Sequence, residues 1–117
     1  MREPDGRAAA TPLPDLILYG KPGCGLCDEA RANALAILGQ RAATGLAVPR
    51  LIERDITTDP AWERAFFLTI PVVELGDRRL ELATSMARLQ ALVREVLDGP
   101  LGGGPRQAGS GVGGLAR

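Results

Sequence analysis

Histidine is absent from the sequence, and lysine occurs once, at Lys21, against thirteen arginines. Without an imidazole the chain has no Ser–His or Cys–His couple for nucleophilic catalysis. A closed structural metal site wants four ligands, and the two cysteines of one chain supply half of one. Charge of either sign is also missing in excess: fourteen basic residues meet fourteen acidic ones, with no block of Lys or Arg. The sequence therefore gives no electrostatic reason to expect nucleic acid or an anionic membrane surface as a partner. No apolar run approaches the length of a membrane span. The opening residues, MREPDGRAAATPLP, carry charges and prolines where a secretory signal would need a continuous apolar stretch, so the cytoplasm is the expected compartment. Aromatic residues make up only 3% of the chain, which leaves Leu, Ile, Val and Ala to build the core.

What is present divides the chain into one domain between two tails. Residues 1–14 are expected to be a flexible N-terminal segment. From Gly99 to Arg117 the sequence GPLGGGPRQAGSGVGGLAR lacks an apolar period and reads as a disordered Gly/Pro-rich tail. It has neither the preceding strand nor the following helix of a phosphate-binding loop. Between the tails, LILY (Leu16 to Tyr19) is a short apolar run closed by Gly20, as in a buried central strand. From Leu26 to Arg41 apolar residues recur at Leu26, Ala30, Ala34, Ile37 and Leu38, the spacing of an amphipathic helix. Pro49 to Ile56 offers a second strand. Asp59 followed by Pro60 reads as a helix cap with proline in the first position, which predicts a short helix over Ala61 to Phe67. VVEL and RRLEL flank Gly76-Asp77 as a β-hairpin. Met86, Leu89, Leu92, Val93 and Val96 mark one face of a final helix. The order β-α-β-α-β-β-α predicts a mixed four-stranded sheet with helices on both faces.

The chemistry concentrates in LYGKPGCGLCDEA, Leu18 to Ala30, which holds both cysteines, Cys24 and Cys27, two residues apart at the start of the first helix. A bare structural staple is disfavoured, because this spacing closes a loop too small to restrain much unfolded chain and a reducing compartment would open it. A metal or iron-sulfur carrier would need two chains to bring four thiolates together. A redox pair needs one chain and no bound cofactor.

The segments YGKPGCGLCDEA, DIT (Asp55 to Thr57) and TIPVVEL (Thr69 to Leu75) resemble glutaredoxin-like proteins of the thioredoxin-fold superfamily, in particular a branch of small bacterial glutaredoxin-like proteins. The likeness covers roughly Asp15 to Leu97, and the domain is expected to span residues 15–98. It implies a thioredoxin-like three-layer α/β/α fold and thiol-disulfide oxidoreductase activity. It also implies roles: Cys24 as the attacking cysteine, Cys27 as the one that resolves the mixed disulfide, and Lys21 as the substrate-binding residue that contacts the glutathione carboxylate. Pro71 would be a cis-proline facing the cysteines, and the backbone of Ile70 would pair with the substrate chain. The expected partners are protein disulfide substrates and a thiol or flavoprotein electron donor, with the protein itself a monomer. The alternative on the same fold is a non-catalytic binding module or metal carrier.

The residues themselves support the division of labour between the cysteines. A free thiol titrates above neutrality, and the unpaired N–H groups of a helix's first turn favour the thiolate at Cys24, while Cys27 lies one turn further in. Asp28, four residues after Cys24, brings an opposing charge. Two departures from the family pattern stand out. The dipeptide between the cysteines is Gly25-Leu26 rather than Pro-Tyr, and the segment that usually carries a Gly-Gly pair reads LATSMARL, Leu82 to Leu89. Glutathione is accordingly expected to be the poorer electron donor. Trp62, Phe66 and Phe67 are expected to pack the short helix onto the sheet, and Glu53 and Asp55 to line a solvated strand face.

Overall fold

The computed structural model describes residues 13–98. Both predicted tails, apart from Leu13 and Pro14, lie outside the described residues. Within them the chain forms β1 (Leu16–Gly20), α1 (Gly25–Ala43), β2 (Leu51–Asp55), α2 (Pro60–Phe66), β3 (Val72–Leu75), β4 (Arg78–Leu80) and α3 (Met86–Val93). A 3-10 turn, Ile56–Thr58, links β2 to α2, and a π-type turn, Arg94–Asp98, extends α3. This is the predicted order and a thioredoxin-like α/β fold.

The sheet runs β2-β1-β3-β4. β1 pairs parallel with β2, antiparallel with β3, and β3 pairs antiparallel with β4 across the Gly76 turn. β1 is therefore central and has a core on each side, which is why its sequence is apolar without interruption. Leu16 and Leu18 point to one face, where they meet Ala30, Ala34 and Ile37 of α1, Val73 and Leu75 of β3, and Leu89, Leu92 and Val93 of α3. Ala30 and Ala34 are fully buried. Their small side chains let α1 lie close against the strand. On the other face, Tyr19 joins Ile56, Phe66, Ile70 and Val72 beneath the shorter α2.

Local caps set the boundaries. Asp59 caps α2 by accepting the N–H of Ala61, with Pro60 next as predicted. Asp55 accepts the N–H of Thr57 and turns the chain out of β2. Ser85 accepts the N–H of Arg88 and starts α3. Two expectations need correction. Leu26 is 53% exposed instead of facing the core, because it lies in the first turn, before α1 passes over the sheet. Phe67 is 58% exposed, because α2 ends at Phe66 and the chain turns outward there; Trp62 and Phe66 do pack on Tyr19.

The last turn of α1 buries a charge. Arg41 is 4% exposed, and its guanidinium donates to both carboxylate oxygens of Asp98, at 2.7 and 2.9 Å, and to the carbonyl of Ala47. The pair ties the C-terminal ends of two helices together. The hydrogen bond from Arg41 holds the Asp98 carboxyl below its ordinary value, against the opposing effect of burial. A depressed carboxylate pKa stabilises the fold above the unfolded-state value near 4, and that stabilisation disappears as pH falls through the folded-state value. Asp98→Asn is expected to cost about 2 kcal/mol at pH 7, less than a fully buried pair because Asp98 is one-third exposed. Denaturant titrations should show this difference shrinking below about pH 4.

Candidate functional site

The site is built where β1 stops and α1 starts. Residues Lys21 to Cys24 make the connection, with Gly23 at φ +75°, a left-handed conformation suited to glycine. Cys24 is the N-cap of α1 in extended conformation, and its Sγ accepts the backbone N–H of Cys27 at 3.1 Å. The Sγ atoms of Cys24 and Cys27 are in disulfide contact, with Cα atoms 5.2 Å apart. Cys27 is 6% exposed and Cys24 is half-buried, so the outer sulfur is Cys24.

Cys27 owes its position to Gly20. A Cβ at residue 20 would lie 3.1 Å from both the Cβ and the Sγ of Cys27. The end of the strand is bare so that the inner cysteine can rest against it. In the sequence Gly20 marks only the close of the first strand. The signal was there in its position, seven residues before Cys27 with a turn between them, but which side chain the glycine makes room for is a tertiary fact.

The other residues singled out from the sequence fall on two sides of the pair. Ile70 and Val72 share an apolar cluster with Cys24 and Cys27. The Ile70–Pro71 peptide bond is cis. Ile70 N–H donates to the Phe66 carbonyl at 3.0 Å, and among the described residues no backbone N–H reaches the Ile70 carbonyl. On the β2 side, a groove of about 290 Å³ opens beside Cys27, lined by Lys21 and Pro22 and by the charged side chains of Asp28, Arg31, Glu53, Arg54 and Asp55. Lys21 is exposed at its edge. Glu53 is not free: Arg31 Nε donates to both its oxygens at 3.0 Å. Asp55 is engaged by the N–H and hydroxyl of Thr57. Three positive and three negative side chains therefore line this groove.

Beneath the site Arg54 lies over the rings of Tyr19 and Trp62, at 5.7 and 5.3 Å from their centroids, and donates to the Tyr19 hydroxyl. That hydroxyl donates in turn to Glu74, which Arg79 also holds. Burial raises the Tyr19 pKa against the hydrogen bond from Arg54, so the phenol stays a neutral donor. Among the described residues no group of three or more His, Cys, Asp or Glu could hold a metal ion. No helix among them is long and apolar enough to cross a membrane.

A paired C-x-x-C at the start of the first helix, beside a cis Ile70–Pro71 bond, coincides with a match of residues 15–97 to the family model for the glutaredoxin-like domain (DUF836). The chain belongs to this family. A solved structure from X. campestris, the structural genomics target XcR50, is 30% identical over 67% of this chain and 93% of that one, with a TM-score of 0.52. Another, protein Ne2328 from Nitrosomonas europaea, is 24% identical over 62% of this chain and 78% of that one, with a TM-score of 0.46. No curated protein matches the chain.

Within this glutaredoxin-like domain, Gly20 offers a direct test of how the pair is seated. Gly20→Val is expected to destabilise the protein by about 1–3 kcal/mol through overpacking. It should also displace Cys27 and prolong the life of a mixed disulfide on Cys24, followed by mass spectrometry. Gly39→Ala is the control: beyond its chain neighbours and its own helix backbone nothing lies within 4 Å of where a Cβ would stand, and it sits inside α1, so it should raise stability by about 0.5–1 kcal/mol.

Proposed function

We propose that this glutaredoxin-like protein is a thiol-disulfide oxidoreductase working through Cys24 and Cys27. The observation that carries the reading is the seating of the pair: Cys24 caps α1 and its sulfur receives the N–H of Cys27, while Cys27 is bonded behind it against Gly20. A donor aimed at the outer sulfur favours the thiolate there. The inner position of Cys27 keeps it from meeting a substrate first.

In the reduced protein, the Cys24 thiolate attacks one sulfur of a substrate disulfide. A Cys24–substrate bond forms, the substrate S–S bond breaks, and the leaving sulfur departs as a thiolate that takes up a proton. Cys27, having lost its proton to water, then attacks Cys24 Sγ, and the second substrate thiolate leaves. Two electrons have passed from the cysteine pair to the substrate. The Cys24–Cys27 disulfide is returned to dithiol by two electrons from an external thiol or a flavoprotein reductase. The proposed binding roles are Lys21 for a substrate carboxylate and the Ile70–Pro71 segment for an extended chain, which the Ile70 carbonyl would receive. The expected working form is a monomer in the cytoplasm.

The mechanism gives the cysteines different phenotypes. Cys27→Ser should accumulate partner proteins or small thiols as covalent adducts, because nothing ejects them intramolecularly. Cys24→Ser should trap none. In the reduced wild type, iodoacetamide should label Cys24 faster. Equal trapping by both variants, or labelling confined to Cys27, would refute the assignment; loss of one zinc or iron per two chains by either variant would favour the metal carrier. In a coupled assay, a flavoprotein reductase is expected to support faster turnover than glutathione with its own reductase, since LATSMARL lacks glycines that allow close backbone approach.

A further inference from the structure

Among the described residues, Leu82 is the one non-glycine residue in the left-handed region, at φ +50°. A leucine pays a steric penalty there that glycine avoids. Its side chain is also 52% exposed, so burial does not offset the strain. A strained conformation that gains nothing from packing is a pointer to function when it lies beside a reactive group.

Leu82 is bonded to the segment that packs against that group. Its N–H donates to the Thr69 carbonyl at 2.9 Å, and the next N–H, that of Ala83, donates to the Pro71 carbonyl at 2.8 Å. The two bonds straddle the Ile70–Pro71 bond, and Ile70 packs in the cluster that contains both cysteines. A third bond, from Thr84 N–H to the Leu82 carbonyl, closes the turn. The residue is thus laced into its conformation on the β3 side of the cysteine pair. Two further leucines are exposed next in sequence to these elements: Leu68, just before Thr69, is 77% exposed, and Leu26, just before Cys27, is 53% exposed. The charged groove lies across β1, on the β2 side.

We propose that Leu82 is a specificity-determining residue of the cysteine pair, selecting polypeptide disulfides that carry a large apolar side chain next to the reacting cysteine over small polar ones. The assignment rests on the oxidoreductase reading above and narrows its substrate class. The leucine stands where glycine would suit the backbone, and it presents an exposed isobutyl group there. An apolar substrate side chain gains by covering the exposed isobutyl group, whereas a small polar disulfide gains nothing there.

The test compares two synthetic peptides, alike except for Leu or Ser beside the cysteine, each as a mixed disulfide with 2-mercaptoethanol, together with glutathione disulfide, with dithiothreitol as the two-electron donor and the uncatalysed rate subtracted. Wild-type kcat/KM should favour the Leu peptide over the Ser peptide and over glutathione disulfide by about tenfold. In Leu82→Ala and Leu82→Gly both ratios should fall to within about twofold of unity. Thermal melting separates specificity from folding: Leu82→Gly should melt no lower than wild type, since it releases the backbone strain, and Leu82→Ala keeps the test standing if the glycine variant fails to fold. Ratios unchanged in the variants, or no wild-type preference among substrates that are turned over, would overturn the assignment of Leu82 alone. No turnover of any of the three disulfides by wild type would overturn the oxidoreductase reading, and this assignment with it.

Discussion

The contact between Gly20 and Cys27 is the constraint on which the site depends. A central strand and the helix that follows it are joined by only four residues, Lys21 to Cys24, so the helix must start almost on top of the strand end. That start is feasible because residue 20 has no side chain: the inner sulfur occupies the volume where a Cβ would be. The register of the sheet then distributes everything else. Gly20 is opposite Asp55 of β2, and Tyr19 is opposite Val72 of β3, with the cis bond one residue before it. The cysteine pair therefore has a charged strand end on one side and an apolar, tightly turned segment on the other.

The two faces of the sheet carry different burdens. One is sealed by α1 and α3 with aliphatic side chains, and its helix ends are clasped by Arg41 and Asp98. The other is only partly covered by the seven-residue α2. There, polar groups complete what the short helix leaves open: Arg54, Tyr19, Glu74 and Arg79 form a continuous chain of hydrogen bonds across the strands, with Arg54 over two aromatic rings and Arg79 over the Phe66 ring. Arginine suits this role, since its flat guanidinium can stack on a ring and donate sideways at once. Three of the four aromatic residues of the chain are used on this face.

Much of this was legible in the sequence where local chemistry decides. The Asp59-Pro60 cap, the Gly76-Asp77 turn and the aliphatic run of β1 each act within a few residues, and each sits where expected. The C-x-x-C spacing at a helix start likewise placed the pair. The misreadings arise where a residue's environment comes from elsewhere in the chain. Leu26 fits the apolar period of α1 but precedes the part of the helix that meets the sheet. Arg41 closes the predicted first helix, yet it is buried because Asp98, 57 residues later, returns to meet it. Leu82 read as the end of β4, but the strand stops at Leu80, because bonding to Thr69 and Pro71 turns the chain away. In each case the deciding partner is distant in sequence, so no local pattern could show it.

The hydrogen bond that closes the end of α2 onto Ile70 bears on how firmly any visiting chain could be held. Because Phe66 has claimed the amide of Ile70, an extended peptide laid beside that residue would find one main-chain bond instead of the pair that a sheet edge ordinarily offers. A weak grip of this kind would suit the proposed disulfide exchange: a covalent link to sulfur would do the holding, and once that link was cut little would delay departure. Residence time would then be governed by thiol chemistry, and choice among partners by side chains at the rim.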